Sequence, residues 1–540
     1  MLIDNIQHPF PLRKTIERFV VTAEQMQQIE QRVFDAGMPV AALMEKVSGR
    51  ITQRFVEWFE QQSQSGREIG VLVGPGHNGG DALVVARELH HLGYAVSVYQ
   101  PFSKLKPLTE QHAQYARSLG ISFVASMEGL LHCDAVIDGC FGFGLTRAIA
   151  GDLSVAIEQL NKQITEHNLS VFSIDLPSGI HTDTGEVMGC AVQASYTACL
   201  GLWKRAFMQE HALAYFGQSA LIDFDLPLAD IEAVLGTVPQ VQRITNEDAI
   251  AYLPLHRSPT AHKYTAGQLL LIAGSRQYAG AALLAGLGAV ASGAGMLTLV
   301  VPESIRLSLL PQLPGALLIG CAETEAGAIR ELPENLNLEK YDAIAFGPGL
   351  TPAVPNLLNA PFESDIPLLL DADGLNILAN RDPVSLLKRR TAPTVLTPHV
   401  GEFKRLFPNI YQKGEKLLPG EIAWLAAQIS GATILLKGPR SAIASHQNLW
   451  FNPHSTPALA RGGSGDVLTG LMGGLLASAA QPKSWKENPA LLTSAVLGAV
   501  WWHSQAAIYA SQSRTSLGVD PLHLAQALNR ALSAGAQSST

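Results

Sequence analysis

The stretch "VLVGPGHNGGDALVVARELHHLGYAVSVYQP", Val71 to Pro101, reads as strand, glycine-rich loop, helix and second strand. Val71–Val73 is an apolar run short enough for a buried strand, and "ALVVARELHHLG" has helical spacing. "AVSVYQ" from Ala95 then reads as the next strand, which makes this a βαβ unit. Further candidates "IGVLVG" (Ile69), "DAVID" (Asp134) and "SVFSIDLP" (Ser170) alternate with helical patterns. A doubly wound α/β sheet is expected of such alternation. Beyond a loose, proline-bearing stretch from Leu226 to Lys263 the same grammar resumes with "QLLLIAGS", "MLTLVVP", "DAIAFGPG", "IPLLLDADG", "PTVLTPH" and "ATILLKGP". Two α/β domains follow, expected at 1–235 and 236–540. Each strand of the second half ends in Gly, Pro, Asp or His, and sheets of this kind gather function at the carboxyl ends of strands.

Bulk composition agrees. The chain has 540 residues, 47% hydrophobic and 16% charged, with 48 glycines and a net charge of −8. Parallel sheets buried on both faces have this character. With no long basic run, neither nucleic acid nor an anionic membrane is indicated as a partner. Five cysteines without CxxC spacing argue against a disulfide framework or zinc site. Those cysteines, and an N-terminus without a signal-like apolar region, point to the cytoplasm. Ala279 to Val301 is uncharged and long enough to span a bilayer, yet it breaks at Gly293–Gly295 and switches to "MLTLVV". A buried helix followed by a buried strand is expected there.

The loop Gly74, Gly76, Gly79 matches G-x-G-x-x-G, but Tyr99, Gln100 and Pro101 stand where a ribose-binding acid belongs. A hydride-transfer Rossmann enzyme is therefore disfavoured. What remains is a loop of unusual polarity, His77, Asn78 and Asp81, joined by Asp138 with Gly142, Gly144 and Thr146, and by Asp175 with Ser178. Each alone suits a capped turn; converging, their oxygens suit a weakly held hard cation.

Together, "GPGHNGGDALVVAREL", "DGCFGFGLTR" and "SIDLPSGIHTDTGE" resemble the NAD(P)H-hydrate epimerase family over about Thr22 to Leu226. The resemblance implies a Rossmann-like αβα domain that binds hydrated nucleotide and potassium. Substrate contacts fall on His77, Asn78, Gly79, Gly80, Asp81, Asp175 and the loop Gly142, Phe143, Gly144, Leu145, Thr146, Arg147 and Ala148. The K+ ligands would be Asn78, Asp138 and Ser178. Ala82 and Phe143 depart from the family's usual glycine and threonine. Asp175 is the candidate acid or base; a purely binding role stands beside it.

In the second half there is no P-loop. "ALARGGSGDVLTG" from Ala458 puts glycines and Asp466 before a small-residue apolar helix, where free N–H groups and the helix dipole favour an anion. The dipole is expected to lower the basicity of Asp466. Lys437 in "LLKGPRS", His399 and Glu402 in "LTPHVGEFKRL", and Asp371, Asp373 and Asn376 in "LDADGLNIL" sit at strand ends. With "HKYTAGQLLLIAGS", "GAALLAG" and "FGPGL", these motifs resemble the ADP-dependent NAD(P)H-hydrate dehydratase family from His262 to about Leu532. That family has the ribokinase-like αβα fold. The likeness puts Ala282, Gly349, His399 and Asp466 at the hydrate, and Lys437, Gly438, Pro439, Arg440, Ser441 and Gly465 at the adenine nucleotide; Asp466 here and Asp175 in the first half are the candidate catalytic residues, one to each site. Val400, Thr351 and Ser464 replace the usual proline, glycine and threonine.

A chain with both halves resembles the bifunctional nicotinamide-nucleotide repair enzymes of bacteria. It implies epimerisation of R and S NADHX or NADPHX, then dehydration of the S form to NAD(P)H as ADP becomes AMP and phosphate. Mg2+ would accompany the ADP. The competing reading is a kinase for a small alcohol or vitamin precursor fused to a non-catalytic scaffold. NADHX or NADPHX preference, and whether the chain is a homo-oligomer, are left open.

Overall fold

A computed structural model describes residues 13–62, 66–413, 417–481 and 484–537. The chain divides into two compact units between Val241 and Gln242. The helix Leu228–Leu235 packs against the helix Ala23–Asp35, which carries the N-terminal unit past residue 235.

Seven parallel strands form the N-terminal sheet: β1 (Glu68–Val73), β2 (Ala95–Tyr99), β3 (Ser122–Val124), β4 (Ala135–Gly139), β5 (Ser170–Ile174), β6 (Tyr196–Leu200) and β7 (Gln218–Ile222). Their order is 3-2-1-4-5-6-7. Succession reverses between β1 and β4, and the crevice outside the carboxyl ends at such a point is where ligands bind. The four expected strands are all present. The others are short or only partly apolar, as "SFV" of β3 illustrates. A separate parallel pair joins Val20–Val21 to Trp203–Lys204.

The C-terminal sheet has ten strands: β8 (Val241–Arg243), β9 (Gln268–Ile272), β10 (Met296–Pro302), β11 (Leu317–Cys321), β12 (Ala343–Phe346), β13 (Leu368–Leu370), β14 (Thr394–Leu396), β15 (Thr433–Leu436), β16 (Ala442–Ala444) and β17 (Leu449–Phe451). Their order is 8-17-16-15-14-13-12-9-10-11, with β9 to β15 mutually parallel and β16 and β17 antiparallel. Ala279–Val301 resolves into the helix α1 (Ala279–Ala291) and the strand β10. Among the described residues no helix is long and apolar enough to cross a membrane.

The small-residue run after Asp466 is the helix α2 (Ser464–Ala479), which lies directly on α1. A β-carbon at Gly470 would come within 1.7 Å of the Ala285 carbonyl oxygen, so only glycine permits this approach. Gly463, at φ +96°, turns the chain into the first turn of α2. These two glycines fix where the N-terminus of α2 stands.

Candidate functional sites

In the N-terminal unit a cavity of about 1110 Å³ opens at the carboxyl ends of β1, β4 and β5. His77, Asn78, Asp81, Asp175 and every residue from Gly142 to Ala148 line it. Three loops meet at Gly142, where a β-carbon would lie 2.7 Å from Asp175 Oδ2 and 3.1 Å from Asn78 Oδ1. Gly79 and Gly80 do not line the cavity. They are buried in the first turn of the His77–His91 helix, packed on Gly74 and Met44.

Asp138 and Ser178 come together behind the cavity wall. Asp138 is fully buried and accepts from Ser178 Oγ (2.6 Å), Ser178 N (2.8 Å), Ser173 Oγ (2.9 Å) and Cys140 N (3.2 Å). Burial still leaves its pKa above the usual carboxylate value. Asn78 instead faces the cavity, its amide donating to the Ile174 carbonyl at 3.4 Å.

Asp175 has a left-handed backbone (φ +68°), costly for a non-glycine residue and held by its side-chain bonds. Its Oδ2 accepts from Phe143 N at 2.7 Å, and its Oδ1 pairs with the ammonium of Lys204. Lys204 is completely buried and also donates to the Leu200 carbonyl at 2.5 Å. Burial acts to lower its pKa, but Asp175 raises it and the net direction is up. The Phe143 ring, in place of the family's threonine, lies 5.7 Å from this ammonium, within cation–π range.

Lys204 and Glu30 are site residues that the motif pattern does not flag. The signal for Lys204 is a Lys–Arg pair inside the otherwise apolar run "GLWKRAF". Glu30 reaches the cavity from the helix Ala23–Asp35, whose start is fixed by a Thr22–Gln25 capping box. Burial pushes Glu30 up to about 7 and Asp81, which accepts from Ser48 Oγ at 3.2 Å, well above its usual value. The cavity thus brings the carboxyls of Glu30 and Asp81 beside the buried Lys204 ammonium, with Lys106 and Arg147 also on its lining.

In the C-terminal unit Gly349, Asp371, His399 and Lys437 follow the ends of β12, β13, β14 and β15, four neighbours in the sheet. Lys437 Nζ donates to Asp371 Oδ1 at 2.7 Å, and Thr469 Oγ1 of α2 donates to Asp371 Oδ2 at 2.5 Å. A β-carbon at Gly465 would stand 3.6 Å from Lys437 Nζ, so the first turn of α2 meets the strand ends here. Lys437 to Ser441 form the turn from β15 to β16, tightened by a 2.9 Å bond from Ser441 Oγ to the Gly438 carbonyl. His399 caps the helix Val400–Leu406: its Nδ1 accepts from Gly401 N at 2.9 Å and Glu402 returns a bond to His399 N. Ala282 is buried on α1, against the Gly274 turn, and Gly349 packs on Tyr278 and Ala281 at the start of α1.

Asp466 occupies the first turn of α2, but its basicity is not lowered. Burial, and then the charge of Asp371, raise its pKa to about 7 against the pull of Lys437. Desolvation and a neighbouring carboxylate outweigh the helix dipole, whose contribution is typically only about 0.3–1 kcal/mol. Below α2, His503 Nε2 lies 2.9 Å from the Ser464 carbonyl oxygen. Burial holds that imidazole at about 4 and hence neutral.

Two family models match the chain: the YjeF-related protein N-terminus over residues 40–206 and NAD(P)H-hydrate dehydratase over residues 269–530. A bifunctional NAD(P)H-hydrate repair enzyme of Thermosynechococcus vestitus is 50% identical over 97% of this chain and 100% of its own length. One of Synechocystis sp. is 53% identical over 95% of this chain and 94% of its own. Among solved structures, an ADP/ATP-dependent NAD(P)H-hydrate dehydratase of Bacillus subtilis, co-crystallized with ATP/Mg2+, is 34% identical, covers 54% of this chain and 96% of its own, and has a TM-score of 0.44. Identity on this scale, running through both units, assigns the whole chain and not one half of it: it belongs to the family of bifunctional NAD(P)H-hydrate repair enzymes.

Proposed function

We propose that the N-terminal unit, 1–235 by its motifs, epimerises R and S NAD(P)H hydrate. The unit from 236 to 540 dehydrates the S form to NAD(P)H, converting ADP to AMP and phosphate. The observation that carries the second activity is the half-buried Asp466 in the first turn of α2, where Gly465 meets Lys437 Nζ; desolvation and Asp371 raise its pKa to about 7.

The hydrate hydroxyl is a poor leaving group, so it is phosphorylated and leaves as phosphate, and loss of a proton from the neighbouring ring carbon to solvent restores the nicotinamide ring. Asp466 orients that hydroxyl and takes its proton; a base near neutrality suits this work. Lys437, the turn Gly438 to Ser441 and the first N–H groups of α2, including that of Gly465, hold the nucleotide phosphates. Phosphoryl transfer needs mainly such positioning and charge. Ala282, Gly349 and His399 form the hydrate side. Mg2+ would arrive with the ADP phosphates and neutralise their charge. Among the described residues there is no group of three or more His, Cys, Asp or Glu that could hold a metal ion.

In the first site, Gly142 to Ala148, His77, Asn78 and Asp81 bind the hydrate, with Asp175 at the reacting carbon. Lys204 orients the Asp175 carboxylate through its bond to Oδ1. Asn78, Asp138 and Ser178 offer hard oxygens with one formal charge, a set that suits K+. Asp138 has its hydrogen bonds from Ser173, Ser178 and Cys140 already in place. The ion would supply positive charge for a substrate phosphate. All five cysteines are free, in keeping with the cytoplasm.

Chirally resolved hydrate, incubated with and without ADP and monitored for NADH and free phosphate, tests both assignments. R hydrate should need both units, and S hydrate only the second. A stable phosphoester in place of phosphate and NADH would identify a simple kinase.

A further inference from the structure

We infer that Asp371 is a positioning residue of the phosphoryl-transfer site, anchoring the Lys437 ammonium beside the open first turn of α2. The inference rests on the dehydratase reading of the C-terminal unit and adds to it a residue that contacts neither hydrate nor reacting phosphorus.

Asp371 is the first residue after β13, and its side chain is 3% exposed. One oxygen takes the Lys437 bond from the end of β15, and the other takes the Thr469 bond from α2. A single carboxylate therefore ties a strand end to the helix whose N-terminus must receive the anion. Thr469 is itself fixed, since its hydroxyl lies 3.1 Å from the Gly465 carbonyl. Gly465 is also where a β-carbon would stand 3.6 Å from Lys437 Nζ and 3.8 Å from Asp371 Oδ2.

A lysine stem has four rotatable bonds, and its ammonium has three donors. One donor spent on Asp371 selects a rotamer in which the ammonium sits at the helix end and the remaining donors are free for phosphate oxygens. The backbone beneath is also set, with Lys437 N donating to the Pro398 carbonyl at 2.9 Å. The pair costs little at the moment of binding because it is preorganised.

Charge gives the inference a second consequence. Lys437 is faced by Asp371, by Glu402 from the helix after β14, and by Asp466 from α2. Asp466 is faced by Asp371, Asp373 and Lys437. Replacing Asp371 with a neutral residue removes a repelling charge from Asp466 and frees Lys437 to approach it. Both changes make the Asp466 proton leave more readily, so the acid limb of the dehydration profile moves to lower pH.

The test uses the full chain, with Mg·ADP affinity measured calorimetrically in the absence of hydrate. Asp371→Asn should weaken ADP binding roughly 10–100-fold, the size expected for a lost charge-assisted hydrogen bond. In a Lys437→Met background the same substitution should cause no further loss, since the effect passes through Lys437. The acid limb of NADH formation should also move down in pH. Full ADP affinity in Asp371→Asn, an equal loss with Lys437→Met present, or a rate loss with an unmoved limb each overturns the inference. Should Asp371→Asn fail to fold, Thr469→Val cuts one bond to the carboxylate and keeps its charge. It should weaken ADP binding only while Lys437 is present, and wild-type affinity would overturn the inference. A wild-type chain that binds ADP but makes no NADH refutes the dehydratase reading alone, because the binding cycle needs no hydrate.

Discussion

Asp466→Asn separates binding from chemistry in the C-terminal unit. Asn keeps the shape of Asp and removes the proton acceptor, and loss of a positioned acid or base typically costs roughly 10²–10⁴ in rate. At 1.36 kcal/mol per tenfold that is about 2.7–5.4 kcal/mol of barrier. The loss should fall on kcat with little change in KM for ADP, since Lys437 and the α2 backbone are untouched. With the Asp466 carboxyl at about 7, wild-type kcat should rise with pH up to about 7 and then level, and the variant should lack that limb. Stability gives an independent check. The folded pKa lies above the unfolded value, so the contribution of Asp466 to stability is fully present below about pH 4 and is lost as pH rises through about 7. The uncharged variant escapes that loss, and its melting temperature should gain on wild type progressively between those limits. Epimerisation in the same sample is the internal control. NADH formation at near-wild-type rate, or a wild-type profile flat through pH 7, would refute the role of Asp466.

Lys204→Met should abolish epimerisation and spare dehydration of S hydrate, as read by chiral chromatography. It also leaves Asp175 buried without its partner, a change that typically costs about 3–5 kcal/mol and should appear as a lower melting temperature of the N-terminal unit. Asp138→Ala should eliminate epimerisation without touching dehydration, and replacing potassium with lithium should slow the wild-type epimerase; unchanged rates would remove the cation from the site. A fragment beginning at Gln242 should convert S hydrate with ADP and leave R hydrate to spontaneous epimerisation. Rapid turnover of R by that fragment would contradict the two-site assignment.

Much of the fold was legible because its central strands are continuous apolar runs. Val71, Leu72 and Val73 of β1, and Leu269 to Ile272 of β9, are all fully buried, as strands covered on both faces must be. The helix-then-strand reading of Ala279–Val301 followed from its glycine break. What local pattern could not supply were elements defined by their neighbours. β3, β8, β16 and β17 have three residues each, too few for periodicity to speak. β3 and β8, unlike the equally short β13 and β14, are not followed directly by a loop of Gly, Pro, Asp or His that marks a strand end. β16 and β17 are antiparallel and fall outside the alternation of strand and helix. The Val20–Val21 pairing, which lies alongside Lys204, has only two. Thr351, where the family favours glycine, has φ +66°, so the usual glycine reports a backbone requirement that Thr351 meets at some strain. The raised pKa of Asp466 departs from the sequence expectation for a related reason. The dipole of its own helix is visible in sequence, whereas Asp371 is brought beside it only by the sheet.

Both units place an Asp–Lys pair at the strand ends: Asp175 with Lys204, and Asp371 with Lys437. Neither pair is explained by stability, because a buried ion pair commonly does no better than apolar residues of the same volume. A lysine buried alone would lose its proton and arrive neutral at an anionic substrate. In each pair burial acts to lower the lysine pKa, the aspartate raises it, and the net direction is up. The carboxylate thus keeps the ammonium charged and in place. The difference lies in what the partner does. In the first unit both side chains are buried, 0% exposed for Lys204 and 3% for Asp175, and both line the cavity, with the Lys204 ammonium held by Asp175 and the Leu200 carbonyl. In the second unit Lys437 is the more exposed member, 23% against 3% for Asp371, and its ammonium stands beside the first turn of α2. Under the proposed function the same pair would serve an acid–base carboxylate in one unit and a phosphate-binding cation in the other, the second set by the greater exposure of Lys437.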